Sequence, residues 1–250
     1  MKVSIIGSGN AATVLGRKIK AARHQVLQVY SRNMHHAEKL AEELQCSATD
    51  AWSAITLEAD IYLVALSDAA IPEAAAMLRP KKGLVLHTAG SVSMEVLKGT
   101  SVNYGVLYPL QSLRKEKKEY ENIPLLVDGN TADDLCLAED FATTLSNQVQ
   151  KADDAYRLKL HVAAVLVNNF TNHLYSLAAT FCDQEQVRFG LLQPLIEETA
   201  TRLKEYDPRA VQTGPAVRND QPTIDRHLQL LAAYPDLQKV YEVITESIRS

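Results

Sequence analysis

The sequence predicts an α/β chain in which a doubly wound parallel sheet over residues 1–150 is followed by a smaller all-helical part over residues 151–250. Three observations carry this. Short apolar runs alternate with helical periodicities through the first half. A turn with two glycines, Gly7-Ser8-Gly9, lies between the first run and the first helix. After Lys151 the strand-like runs stop and apolar residues recur at helical spacing to the end. The two parts would meet at a cleft outside the carboxyl ends of the strands, where sheets of this kind bind ligands.

The elements follow in order. Strands are expected at residues 2–6 and 25–30, near Cys46, and at 61–65, 84–87, 103–107 and 123–127. Helices are expected at 11–22 and 34–44, the second with Ala37, Leu40, Ala41 and Leu44 on one face. Another starts at Pro72, whose missing N–H is tolerated in a first turn. The long run 153–181 reads as one helix, with Leu158, His161, Val162, Val165, Asn168, Asn169, Asn172 and Ser176 at helical spacing. Further helices are expected at 193–206, 223–233 and 235–248.

Composition narrows the function classes. The chain has 250 residues and a net charge of −4. Its densest basic stretch, Arg114 to Lys118, is interrupted by Glu116, so nucleic acid is not an expected partner. No apolar run reaches membrane-spanning length. The three cysteines, Cys46, Cys136 and Cys182, are far apart and odd in number, which suits a reducing cytoplasm. There is no C-x-x-C pair, and no metal site is expected. The first strand begins at the N-terminus, leaving no room for a signal peptide.

The run Gly7-Ser8-Gly9-Asn10-Ala11-Ala12, between a strand and a helix, has the order of a dinucleotide-binding turn. Gly7 permits the tight turn, and Gly9 lets the backbone approach a pyrophosphate. Ala12 lets the helix pack on the strand, and the helix start offers N–H groups to phosphate. At the end of the second strand, Ser31-Arg32-Asn33 stands where NAD-binding chains place an acid. Ser31 and Arg32 can hold a 2′-phosphate, which points to NADP(H). The same residues can also cap the helix at Met34.

Segments at strand ends provide candidates for the nicotinamide side. They are Leu66-Ser67, then His87-Thr88-Ala89, then Tyr108 with the turn after it. From the long helix come His161, Asn168, Asn169 and Asn172, with Asn168 and Asn172 four apart on one face. His161 or His87 would be the proton donor, and Asn168 and Asn172 would orient substrate. His87 can equally be a satisfied core histidine. Tyr108 and Asn169 are substrate-side candidates. Arg218, in a long turn-rich segment, can pair with a substrate carboxylate or with a neighbouring acid.

With Gly7–Ala12, His87-Thr88-Ala89-Gly90-Ser91, Tyr108-Pro109-Leu110, the helix from Leu160 to Phe170 and the segment Thr213 to His227, the chain resembles a known superfamily. It is similar to pyrroline-5-carboxylate reductase, ketopantoate reductase, 6-phosphogluconate dehydrogenase and deazaflavin-dependent NADP oxidoreductases. It resembles most the bacterial NADP oxidoreductase-type proteins that join a Rossmann-like domain to a C-terminal helical domain of unknown function. The resemblance implies a helical domain of the 6-phosphogluconate dehydrogenase C-terminal type, and a homodimer formed through it. It implies an NADP(H)-dependent oxidoreductase acting on a small carbonyl or imine. The lysine of ketopantoate reductases would fall at Ala164, and that of 6-phosphogluconate dehydrogenases at Val165. Loss of that lysine leaves a second reading open, a non-catalytic NADP(H)-binding sensor or assembly protein.

Overall fold

The structure is a computed structural model that describes residues 1–250. Its centre is an eight-stranded sheet in the order β3-β2-β1-β4-β5-β6-β7-β8. The strands are β1 (Lys2–Ile6), β2 (Gln25–Tyr30), β3 (Ser47–Thr49), β4 (Ile61–Val64), β5 (Leu84–His87), β6 (Tyr104–Pro109), β7 (Leu125–Gly129) and β8 (Val149–Lys151). Helices α1 (Asn10–Ala21), α2 (Met34–Leu44), α3 (Ile71–Met77) and α4 (Ala132–Leu145) cover it.

The central strands are near-continuous apolar runs because both faces are covered. Alternation along each strand then sorts side chains to opposite faces. Val3, Ile5, Leu63, Leu84 and Leu86 pack with Leu15 and Ile19 of α1, Leu40 of α2 and Phe141 of α4. Ile6, Tyr62, Val64 and Val85 pack on the other face with Ile71 and Ala74 of α3. The switch of strand order from β1 outward to β2 on one side and β4 on the other opens a crevice at the carboxyl ends of these strands.

The sheet departs from the all-parallel expectation at one place. β6 and β7 pair antiparallel, with Tyr108 opposite Leu126 and Pro109 opposite Leu125. The connection of residues 110–124 holds no helix. It supplies no crossover helix, and the chain turns back. Helix α4, absent from the expected elements, starts at Thr131, whose hydroxyl accepts from the Asp134 N–H at 3.1 Å.

The long helical run is three segments: α5 (Asp154–Ala164), a π-helical stretch (Val165–Phe170) and α6 (Thr171–Gln184). α7 (Gln193–Arg202), α8 (Gln221–Leu231) and α9 (Pro235–Arg249) follow. The chain divides into two compact units, Met1–Asn169 and Phe170–Ser250. Strand–helix alternation ends at Lys151, but α5 groups with the sheet, its side chains bonding the loop after β5 and the end of β6. Within the second unit few side chains are buried, among them Cys182, Ile224 and Leu231. No helix is long and apolar enough to cross a membrane.

Candidate functional site

The glycine turn connects β1 to α1. Gly7 has φ +127°, and a Cβ there would lie 2.2 Å from the Ala65 carbonyl oxygen, so only glycine fits against the end of β4. Gly9 is the N-cap of α1 and faces open space, with no side chain capping the helix. The first N–H groups of α1 are thus left for an anion approaching over Gly9. Ser8 Oγ donates to Ser31 Oγ at 2.8 Å, tying the turn to the end of β2.

These residues border one cavity of about 360 Å³, lined by Gly7, Ser8, Gly9, Ser31, Arg32, Asn33, His36, Ala65, Leu66 and Ser67. No carboxylate lines it. The structure therefore brings together Gly7, Ser8, Gly9, Ser31, Arg32, Leu66 and Ser67 as the sequence predicts. Asn33 also caps α2, accepting from the His36 N–H at 3.2 Å. The unforeseen member is His36. The signal for it is its place three residues after the cap, in the first turn of α2. Ala12 is fully buried under the turn, and Asn10 Oδ1 accepts from the Lys115 N–H at 3.2 Å instead of facing this cavity. Ala11 packs against the core below the turn.

A second cavity, of about 510 Å³, lies within the first unit. Its walls are Tyr108, Leu110, Gln111 and Ser112 from the end of β6, and Leu160, His161, Ala163, Ala164, Val165, Val167, Asn168 and Asn169 from α5 and the π-helical stretch. Tyr108 and His161 are its only ionisable side chains. The Tyr108 hydroxyl lies 2.9 Å from His161 Nδ1, and the two rings meet edge to face. Burial pushes the Tyr108 hydroxyl above its usual range, and Asp68 adds to this, so the phenol keeps its proton. A Cβ on Gly90 would lie 2.6 Å from His161 Nδ1 and 2.8 Å from Tyr108 Cζ. Gly90 is the space that lets the two rings meet.

Other candidates are placed differently. His87 is fully buried and lines neither cavity. Its Nδ1 accepts from the Ala89 N–H at 3.2 Å, and burial, followed by the Arg157 charge, lowers it to about 4. A ring held neutral in the core is not a proton donor at neutral pH, so the assignment of that role to His87 is corrected. Thr88 and Ala89 are buried beside it. Asn168 and Asn169 reach the cavity from the π-helical stretch, and both are exposed, so neither carries a burial cost. Asn172 is exposed, stands in α6 beyond the π-helical stretch and lines neither cavity. Arg218 is exposed in the second unit. There Asp220 is held below the usual carboxylate range first by hydrogen bonds from Thr223, then by Arg218 and Arg226.

Comparison with known proteins defines the class. Residues 2–89 match the family described as NADP oxidoreductase coenzyme F420-dependent. Residues 123–248 match the domain of unknown function DUF2520. A Bacteroides fragilis protein described as a "putative NADP oxidoreductase" is 37% identical, with a TM-score of 0.93 over 99% of this chain and 97% of that one. The chain belongs to this family, in which an NADP oxidoreductase-type Rossmann domain precedes a DUF2520 domain. The fold is shared more widely. A 1-pyrroline-5-carboxylate reductase from Streptococcus pyogenes has a TM-score of 0.69 at 12% identity, over 100% of this chain and 98% of that one. An imine reductase from Pseudomonas sp. has a TM-score of 0.69 at 15% identity, over 98% and 92%. No curated protein sequence matches the chain.

Proposed function

We propose that the chain is an NADP(H)-dependent reductase of a small carbonyl or imine compound. The observation that carries this reading is the Tyr108–His161 couple, the one ionisable feature of an otherwise apolar and amide-lined cavity. Family membership supports NADP(H), and so does the cavity at Gly7–Gly9. It is closed to any side chain at residue 7, open over Gly9, and bordered by Ser31 and Arg32 with no acid. Ser8, Gly9 and the start of α1 would hold the pyrophosphate, and Arg32 with Ser31 the 2′-phosphate. Names of structural neighbours, an imine reductase and a pyrroline carboxylate reductase, support the substrate class.

When bound, NADPH supplies the reducing equivalent. The chain supplies the proton and the orientation. In the charged form of His161, Nδ1–H donates to the Tyr108 oxygen and Nε2–H is left for the substrate nitrogen or oxygen. The neutral phenol keeps the ring from turning. Asn168 and Asn169 offer amide donors and acceptors to the rest of the substrate. Ala164 and Val165 line the cavity where related enzymes would carry lysine, which leaves His161 as the acid.

The exposed apolar side chains of the second unit, among them Phe170, Leu191, Leu195, Leu203 and Val243, support a homodimer built on that unit. The free cysteines are in keeping with a cytoplasmic protein. A second reading, a non-catalytic NADP(H)-binding protein, is favoured by the apolar pair Ala164–Val165. Following NADPH absorbance over a panel of cyclic imines, ketones and keto acids separates the two. Turnover that needs His161 supports the reductase. Tight NADPH binding with no oxidation across the panel supports the other reading.

A further inference from the structure

Arg157 is the largest fully buried side chain in the chain, 1% exposed, and it is a cation. A hydrocarbon of similar size would fill the space without desolvating a guanidinium. What the guanidinium holds is specific. Nη2 donates to the Val92 carbonyl at 2.6 Å and to Asp154 Oδ1 at 2.6 Å. Asp154 also accepts from the Ser93 hydroxyl, and from the Met94 N–H at 3.1 Å. One cation and one acid from the first turn of α5 thereby grip three consecutive residues of the loop after β5. The same loop contains Gly90, against which Tyr108 and His161 meet. His161 follows Arg157 by four residues on α5, so both project from one face. The grip and the ring contact are two points of one helix face on one loop.

We propose that Arg157 is the positioning residue for the Tyr108–His161 couple. It fixes α5 against residues 90–94 and so sets where the imidazole meets the phenol. The remaining guanidinium nitrogens, Nε and Nη1, and the Nε2 of His87 are buried with no protein acceptor. The grip itself needs only Nη2. A lysine ammonium can make both of its bonds, whereas a methionine can make neither.

The test uses the full chain labelled with nitrogen-15 histidine, reading the hydrogen-bonded signature of His161 Nδ1 alongside NADPH affinity. Arg157→Lys is expected to keep the signature. Arg157→Met is expected to lose it while NADPH affinity is kept. Should Arg157→Met not fold, Asp154→Ala, which removes the acceptor and changes a side chain that is 40% exposed, takes its place with the same expected loss. An unchanged signature in whichever of these folds overturns the proposal. A loss in Arg157→Lys equal to that in Arg157→Met also overturns the grip through Nη2. The inference rests on the reductase reading only in calling the couple catalytic. The signature is read without turnover, so a chain that keeps it and reduces nothing fails that reading and leaves this one standing.

Discussion

His161 Nδ1 and the Tyr108 hydroxyl, 2.9 Å apart, join α5 to the end of β6 across the face of the second cavity. If this ring is the acid, His161→Asn lowers kcat by roughly 10²- to 10⁴-fold, the usual worth of a positioned proton donor. Tyr108→Phe removes one hydrogen bond and costs about tenfold. NADPH binding, followed by fluorescence, is unchanged in both. A His161→Asn enzyme with full turnover would refute the assignment.

Gly90→Ala places a methyl 2.6 Å from His161 Nδ1. The rings must move apart, because residue 90 itself is buried and cannot retreat. We expect turnover to fall by an order of magnitude or more, with a cost of about 1–3 kcal/mol in stability for overpacking. Chemical denaturation and steady-state kinetics on the same preparation check both halves.

Arg32 is the cation beside the cavity at the glycine turn. Arg32→Ala is expected to weaken NADPH by roughly ten- to a hundredfold, the loss of a charge-assisted contact, and to leave NADH nearly unaltered. Equal weakening of both, measured by titration calorimetry, would remove the 2′-phosphate from this position.

Acid should destabilise the fold through His87. Its imidazole sits at about 4 in the folded chain and 6.5 when unperturbed. Between those values the unfolded chain binds the proton and the folded chain does not. Stability from this group is therefore complete above about pH 6.5 and lost as the pH falls towards 4, by about 3 kcal/mol in all. Urea unfolding at pH 7 and pH 4.5 measures it. His87→Asn, which retains an acceptor for the Ala89 N–H, should show a flatter dependence, and an unaltered slope would assign the effect elsewhere.

Leu195 of α7 is 62% exposed and Leu191, just before it, 72%. If these residues lie in a homodimer, Leu195→Glu buries a charge at the contact and yields monomer in sedimentation equilibrium. Wild-type chain that sediments as a monomer at micromolar concentration would exclude the dimer.

Much of the first unit is legible from sequence because its central strands are buried on both faces. Residues 61–64 and 84–86 contain no exposed position, so they read as uninterrupted apolar runs. The glycine turn is legible for a similar reason, since Gly7 has no alternative at its φ. The reversal at β7 is not, because a long polar connection looks the same whether the chain crosses over or turns back. Helix α4 escapes because Asp134 interrupts its buried face. The π-helical stretch, from which Asn168 and Asn169 reach the cavity, has no residue signature in Val165–Phe170. Gly90 reads as one more loop glycine until Tyr108 and His161, distant in sequence, are seen to converge on it.

The reversal of β7 gives the chain a handle for redesign. Because β6 and β7 run antiparallel, both feet of the 110–124 segment are clamped side by side in the ladder, at Pro109 and Leu125. Its first residues, Leu110 to Ser112, form the rim of the second cavity. Beyond Ser112 the segment is held to α1, where Arg17 donates to the Lys115 and Lys117 carbonyls and the Lys115 N–H donates to Asn10, so change belongs at the rim residues. If the second cavity takes the substrate, replacing Leu110 to Ser112 alters its range while the strand pairs and the glycine turn are kept.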